Sequence, residues 1–133
     1  MSRHAFNPSG SAPPSPRYSF GAAADGWVVT SGIVAIDERG ETQHPGDAAG
    51  QTRHVLDQVG RILRAGGCGF EDVLFVHVYL KTMADYADMN RVYAEYFGDR
   101  PPARFCVAAG LVKDDWLVEI TATAKAAKAG AAS

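Results

Sequence analysis

Apolar and polar positions change period several times along the chain, and each change marks an element. Residues 27–36 (WVVTSGIVAI) are apolar and β-branched, follow the turn pair Asp25-Gly26 and give way to Asp37-Glu38-Arg39-Gly40. This predicts a hairpin with strands over 18–23 and 27–36. From Asp47 onward Val55, Leu56, Val59, Ile62 and Leu63 fall on one helical stripe, which Gly66-Gly67 stops; that is the pattern of an amphipathic helix. Residues 70–80 (FEDVLFVHVYL) return to strand character, with Val73, Phe75, His77 and Tyr79 on one parity and Leu74, Val76, Val78 and Leu80 on the other. Apolar residues on both parities predict a strand buried on both faces. Thr82 with Asp85 resembles a helix N-terminal cap, and Tyr86, Met89, Tyr93, Tyr96 and Phe97 carry a second helical stripe closed by Gly98. Pro101-Pro102 force an extended entry into a strand over 103–109, and 117–126 (LVEITATAKA) reads as the last strand.

The predicted order is ββαβαββ, an α+β fold with a mixed sheet in one domain over 18–126. Residues 1–17 form a Pro- and Ser-rich leader expected to be extended or looped, and 127–133 an Ala-rich tail expected to be flexible. Two helices can shield only one face of such a sheet. The doubly apolar strand therefore needs a second cover from outside the chain, and a homo-oligomer is expected.

Composition narrows the partners. The chain has 133 residues, 47% hydrophobic and 21% charged, which suits one soluble domain. Thirteen basic against fifteen acidic residues leave a net charge of −2, no field for a polyanion, so nucleic acid is not an expected partner. The leader has no apolar core of a signal peptide, and no membrane segment is expected. Two cysteines without paired spacing, Cys68 and Cys106, fit a reducing cytoplasmic compartment.

Two charges interrupt otherwise apolar strands: Arg104 in PPARFCVAAGL and Glu119 in WLVEITATA. A charge inside a strand is costly unless paired or used. By alternation Arg104 shares a face with Cys106, and Glu119 shares one with Leu117 and Thr121. If the two strands are neighbours, both charges open on one pocket. One reading is a structural ion pair. The other is a small-carboxylate site, in which the planar Arg104 fork holds the acid and Glu119 orders or deprotonates a water.

Cys106 has no histidine at a recognisable nucleophile–base spacing and reads as a small buried hydrophobe. The histidines, His4, His44, His54 and His77, form no ligand-like pair, so neither a metal nor another cofactor is expected. Ser31-Gly32 marks either a close approach by a ligand or a β-bulge. Asn90 interrupts the apolar side of the second helix and needs hydrogen-bond partners there. Tyr18 stands where leader meets strand, as a lid or as a packing residue. No dinucleotide fingerprint, P-loop, nucleophile elbow or zincin motif occurs.

Taken together, Pro102-Ala103-Arg104-Phe105-Cys106-Val107, Val118-Glu119-Ile120, Ser31-Gly32, Gln51-Thr52-Arg53 and 90–97 (NRVYAEYF) resemble the RidA family, also called YjgF, over nearly all of 18–126. Residues 50–56 (GQTRHVL) and 102–120 look most like its RutC group of pyrimidine utilisation. The resemblance implies a chorismate-mutase-like fold assembled as a homotrimer, with sites at subunit clefts and no cofactor. It also implies hydrolytic deamination of small enamine or imine acids, 3-aminoacrylate to malonic semialdehyde and ammonia in the RutC group. Arg104 would clamp the carboxylate, Glu119 would orient the water, and the Cys106 backbone would contact the reacting nitrogen or water. Ser31, Gly32, Asn90 and Tyr18 would shape the pocket. The competing expectations are a broad 2-imino-acid deaminase and a carboxylate-binding sensor or chaperone-like oligomer without turnover.

Overall fold

The computed structural model describes residues 3–127; the predicted tail lies, beyond residue 127, outside them. The elements are β1 (His4–Phe6), β2 (Gly21–Ala24), β3 (Trp27–Thr30), α1 (Ala48–Ala65), β4 (Val73–Leu80), α2 (Tyr86–Phe97), β5 (Ala103–Ala108) and β6 (Val118–Lys125). They build one six-stranded sheet in the order β1-β2-β3-β6-β4-β5. All neighbours run antiparallel except β4 and β5, which are parallel and joined through α2.

Local chemistry explains the boundaries. The β2–β3 hairpin turns on Asp25 (φ 53°) and Gly26 (φ 82°), two successive left-handed residues that match the twist of the flanking strands. Asp47 caps α1 by accepting from the Gly50 N–H at 2.9 Å, and Gly66 ends it as expected. The stripe Val55, Leu56, Val59, Ile62 and Leu63 is buried, and with Met89, Tyr93 and Phe97 of α2 it covers Val28, Val76, Val78, Leu80, Val118, Ile120, Ala122 and Ala124. No helix among the described residues is long and apolar enough to cross a membrane.

Three element boundaries are corrected, and the leader, expected to be extended or looped, adds a strand: His4–Phe6 pairs with β2, Phe6 packs on the core, and Asn7 Oδ1 accepts from the Phe20 N–H at 2.9 Å. Three residues with a single large apolar side chain make too short a pattern to stand out. The second strand ends at Thr30 rather than Ile36, because the ladder to β6 breaks there. The third begins at Val73, since Phe70–Asp72 forms a 3₁₀ turn held by Asp72 Oδ2 on the Gly69 N–H. Likewise the Thr82 cap serves a 3₁₀ turn over Met83–Asp85, and α2 starts at Tyr86.

Within the described residues β4 is buried on one face only. Val76, Val78 and Leu80 are fully covered by the helices, whereas Phe75, His77 and Tyr79 are half-buried on the other face. There they surround Phe105 of β5: His77 stacks on it at 4.5 Å and meets Phe75 edge-on at 4.6 Å. Trp27, Val29 and Val107 are exposed on the same side. Among the described residues this sheet face has no covering layer, which is the mismatch the sequence predicted.

Leu56, fully buried between helix and sheet, provides a test of the core. Leu56→Ala is expected to lower unfolding stability by about 2–5 kcal/mol through lost burial and a residual cavity. Urea titration at fixed protein concentration checks this; an unchanged midpoint would contradict the packing described.

Candidate active site

Arg104 lies in register with Val76, and Cys106 with Val78, so both point toward the helices. The α2 residues Tyr86, Asn90 and Tyr93, spaced four and three apart, present one face to the guanidinium. Its Nη1 donates to Asn90 Oδ1 at 2.8 Å and its Nη2 to Tyr86 Oη at 3.2 Å, while the group lies 4.7 Å from the centre of the Tyr93 ring. The partner Asn90 needed is therefore Arg104. Burial pushes the Tyr93 phenol up to about 12, so it stays neutral beside the cation. No described carboxylate lies within 4 Å of Arg104, and its positive charge is held by dipoles and π faces alone.

Glu119 is built into a second cluster. Between the pairs Val29↔Thr123 and Ile33↔Ile120, residues 30–32 oppose 121–122, three against two, so Ser31-Gly32 is a β-bulge. Thr30 Oγ1 repairs the ladder by accepting from the Ala122 N–H at 3.1 Å. The bulge brings Gly32 against Glu119, and a Cβ at position 32 would overlap the carboxylate. The bulge and the close approach, posed as alternatives by the sequence, are one feature. Ser31, Gly32 and Glu119 line a cavity of about 410 Å³, with Tyr18, more than half exposed, among its lining residues. Burial pushes the Glu119 carboxyl above its ordinary 4.5.

The two clusters do not meet within one chain. Strand β4 separates β5 from β6, so the strands carrying Arg104 and Glu119 are not neighbours. Glu119 pairs with Tyr79 while Arg104 pairs with Val76, which puts the two side chains on opposite sheet faces. The strand spacing and the three-residue offset separate them by about 10 Å across the sheet and ~10 Å along it. A shared intrachain pocket and a structural ion pair are both ruled out. The structure thus sorts the expected site residues into Arg104, Asn90 and Cys106 on one side and Glu119, Ser31, Gly32 and Tyr18 on the other. Burial raises the Cys106 thiol above its ordinary 9.0, which keeps it protonated and unsuited to attack.

One contributor escaped the sequence reading. Gln51 is fully buried, and its Nε2 donates to Asp115 O at 2.8 Å while its Oε1 accepts from the Leu117 N–H at 2.8 Å. It clamps the segment leading into Glu119. The signal was present, because Gln51 stands one helical turn before Val55 on the apolar stripe of α1. His77 belongs to the aromatic patch, and no group of three His, Cys, Asp or Glu among the described residues could hold a metal ion.

A family model described as Endoribonuclease L-PSP matches residues 9–126. The chain belongs to the Endoribonuclease L-PSP family. Within it, the 3-aminoacrylate deaminase RutC of Acinetobacter baylyi is 46% identical over 124 residues, covering 93% of this chain and 98% of that protein. A YjgF-family protein from Neisseria meningitidis superposes with a TM-score of 0.79 at 36% identity, covering 96% of this chain and 98% of the other. The YjgF gene product of E. coli gives 0.82 at 28% identity, covering 92% and 98%. These L-PSP relatives bear out the RidA/YjgF resemblance, its leaning toward RutC and the fold drawn from it, and they support a Rid-type deaminase.

Glu119 makes the site testable by titration. A carboxyl whose pKa is raised on folding favours the native state fully below 4.5 and loses that contribution as pH climbs through the raised value. Glu119→Gln is therefore expected to raise Tm relative to the parent at pH 7 and to leave the difference near zero at pH 4. Equal differences at both pH values would show that the carboxyl is not desolvated.

Proposed function

We propose that the chain is a hydrolytic deaminase of small enamine and imine carboxylic acids, with 3-aminoacrylate as its substrate and malonic semialdehyde and ammonia as products. The observation that carries this is the Arg104 guanidinium, ordered by Asn90, Tyr86 and Tyr93 and paired with no carboxylate among the described residues. A planar fork in that state is a receptor for a small acid. The name of the A. baylyi relative supports the substrate, and its setting would be pyrimidine catabolism in the cytoplasm.

The chemistry asks for little beyond position and proton transfer. The enamine takes a proton from solvent on carbon and becomes an iminium ion, whose carbon is electrophilic. Glu119, in its ionised form, accepts a proton as water adds to that carbon and returns it to nitrogen; the C–N bond then breaks as the carbinolamine hydroxyl loses its proton to solvent, which leaves the aldehyde and ammonia. Because burial raises its pKa, Glu119 is a stronger base toward the attacking water than an exposed carboxylate. The Cys106 backbone contacts the reacting nitrogen or water, while Ser31 and Gly32 keep the Glu119 side of the site narrow.

Arg104 and Glu119 can serve one substrate only if different subunits supply them. A homotrimer meets this need: the uncovered aromatic face of β4 and β5 is buried between copies, and each cleft pairs the Arg104 cluster of one subunit with the Glu119 cavity of the next. The family description speaks of a ribonuclease, but a net charge of −2 gives this chain no field for RNA.

Ammonia release from 3-aminoacrylate generated in situ, measured above the spontaneous rate, tests the reading. Arg104→Ala and Glu119→Gln are each expected to lower kcat/KM about 100-fold or more, the equivalent of a charge-assisted bidentate contact. Carboxylate-dependent stabilisation without ammonia release would instead mean a binding module. Refolding the two inactive variants together is expected to restore activity, since random mixing rebuilds about a quarter of the shared sites. No recovery would overturn the shared-site arrangement.

A further inference from the structure

The Glu119 cavity contains a donor that the roles above leave unused. Ser11 Oγ, Ser31 Oγ and Trp116 Nε1 are all buried, all belong to residues lining it, and have no hydrogen-bond partner among the described residues. The two hydroxyls rotate and can donate or accept. An indole N–H only donates, in one direction fixed by the ring, so a buried one without a partner, in a residue that lines the cavity, leaves an acceptor to be supplied.

Trp116 is also unusually well held. It stands three residues before Glu119, and the peptides on either side of it are the two that Gln51 grips, through Asp115 O and the Leu117 N–H. The Trp116 N–H of the backbone donates to Lys113 O at 3.2 Å, and the Lys113 ammonium sits 5.7 Å from the indole. A fully buried polar side chain is thus spent on fixing one aromatic residue beside the carboxylate. The cavity, about 410 Å³, falls in the range of about 300–1,000 Å³ that holds drug-sized ligands. A small acid cannot be oriented there by fit alone and needs directional anchors.

We infer that Trp116 donates its indole N–H to an acceptor oxygen of the bound substrate, and that Gln51 is the positioning residue that aims it. This deepens the deaminase reading and rests on it for the identity of the substrate. Arg104 then holds the acid from one subunit, while Trp116 and Glu119 approach it together from the other, with their relative placement set by the Gln51 clamp.

Indole N–H resonances of the full chain, read with propionate as an unreactive small carboxylate, test the donor directly. Two signals are expected from Trp27 and Trp116, assigned through Trp116→Phe; propionate should move the Trp116 signal downfield and leave that of Trp27 in place. In turnover, Trp116→Phe is expected to cost about tenfold to a hundredfold in kcat/KM, the loss of one hydrogen bond to a charged group. Gln51→Met, similar in shape but without the amide, should cost as much, and the double variant no more than the worse single one. A Trp116 signal unmoved while the Gly32 amide responds to propionate, or one that moves only on protein dilution, would overturn the donor assignment, as would unchanged kinetics of Trp116→Phe. Multiplying losses in the double variant would overturn the positioning role. A propionate-induced shift in a protein that releases no ammonia would uphold the donor and sink the deaminase reading.

Discussion

Strand alternation and a limited supply of helix govern this molecule. Side chains leave a sheet on two faces, and two helices of eighteen and twelve residues can shield one of them. The shielded face takes the aliphatic residues of β3, β4 and β6. What is left on the other face of β4 and β5 is aromatic, with His77 stacked into it. The same alternation sends Arg104 toward the helices and Glu119 away from them, so the geometry of a single chain keeps its two most reactive charges apart.

That separation shapes the electrostatics of each. Were the two in contact, they would neutralise each other and neither would be available to a ligand. Instead Arg104 is stabilised by a carbonyl oxygen, a phenol and an aromatic face, which order the guanidinium without cancelling its charge. Glu119 is desolvated against a glycine, which raises its carboxyl above the ordinary 4.5. The two halves differ in a complementary way: one holds an uncancelled positive charge, the other a desolvated carboxyl.

Much of this was legible in the sequence, and the rest failed for identifiable reasons. Both long helices, the Asp25-Gly26 turn and the three later strands follow from periodicity, because their apolar stripes are long and their stops are glycines. The charges in Arg104 and Glu119 stood out for the same reason: strand interiors tolerate few. Pairing order was not legible. Sequence neighbours usually pair in space, yet β6 inserts between β3 and β4, and no local pattern announces it. Strand β1 was too short to show a period, and the apolar run of 27–36 hid the bulge that ends β3. Gln51 entered only as part of the family resemblance and Trp116 went unremarked, because polar clamps are defined by backbone atoms far away in sequence, here 64 and 66 residues on for Gln51.

The insertion of β6 also has a bearing on how the protein is made. Strands β3 and β4 are the last hydrogen-bonding partners to be satisfied, since the strand between them runs from Val118 to Lys125. Until those residues emerge during synthesis, the growing chain holds two half-sheets with open inner edges and an unsealed core. Completion of the sheet therefore waits for β6, which acts as its keystone. Without that single strand the chain would hold two half-sheets, β1-β2-β3 and β4-β5, with no strand to join them.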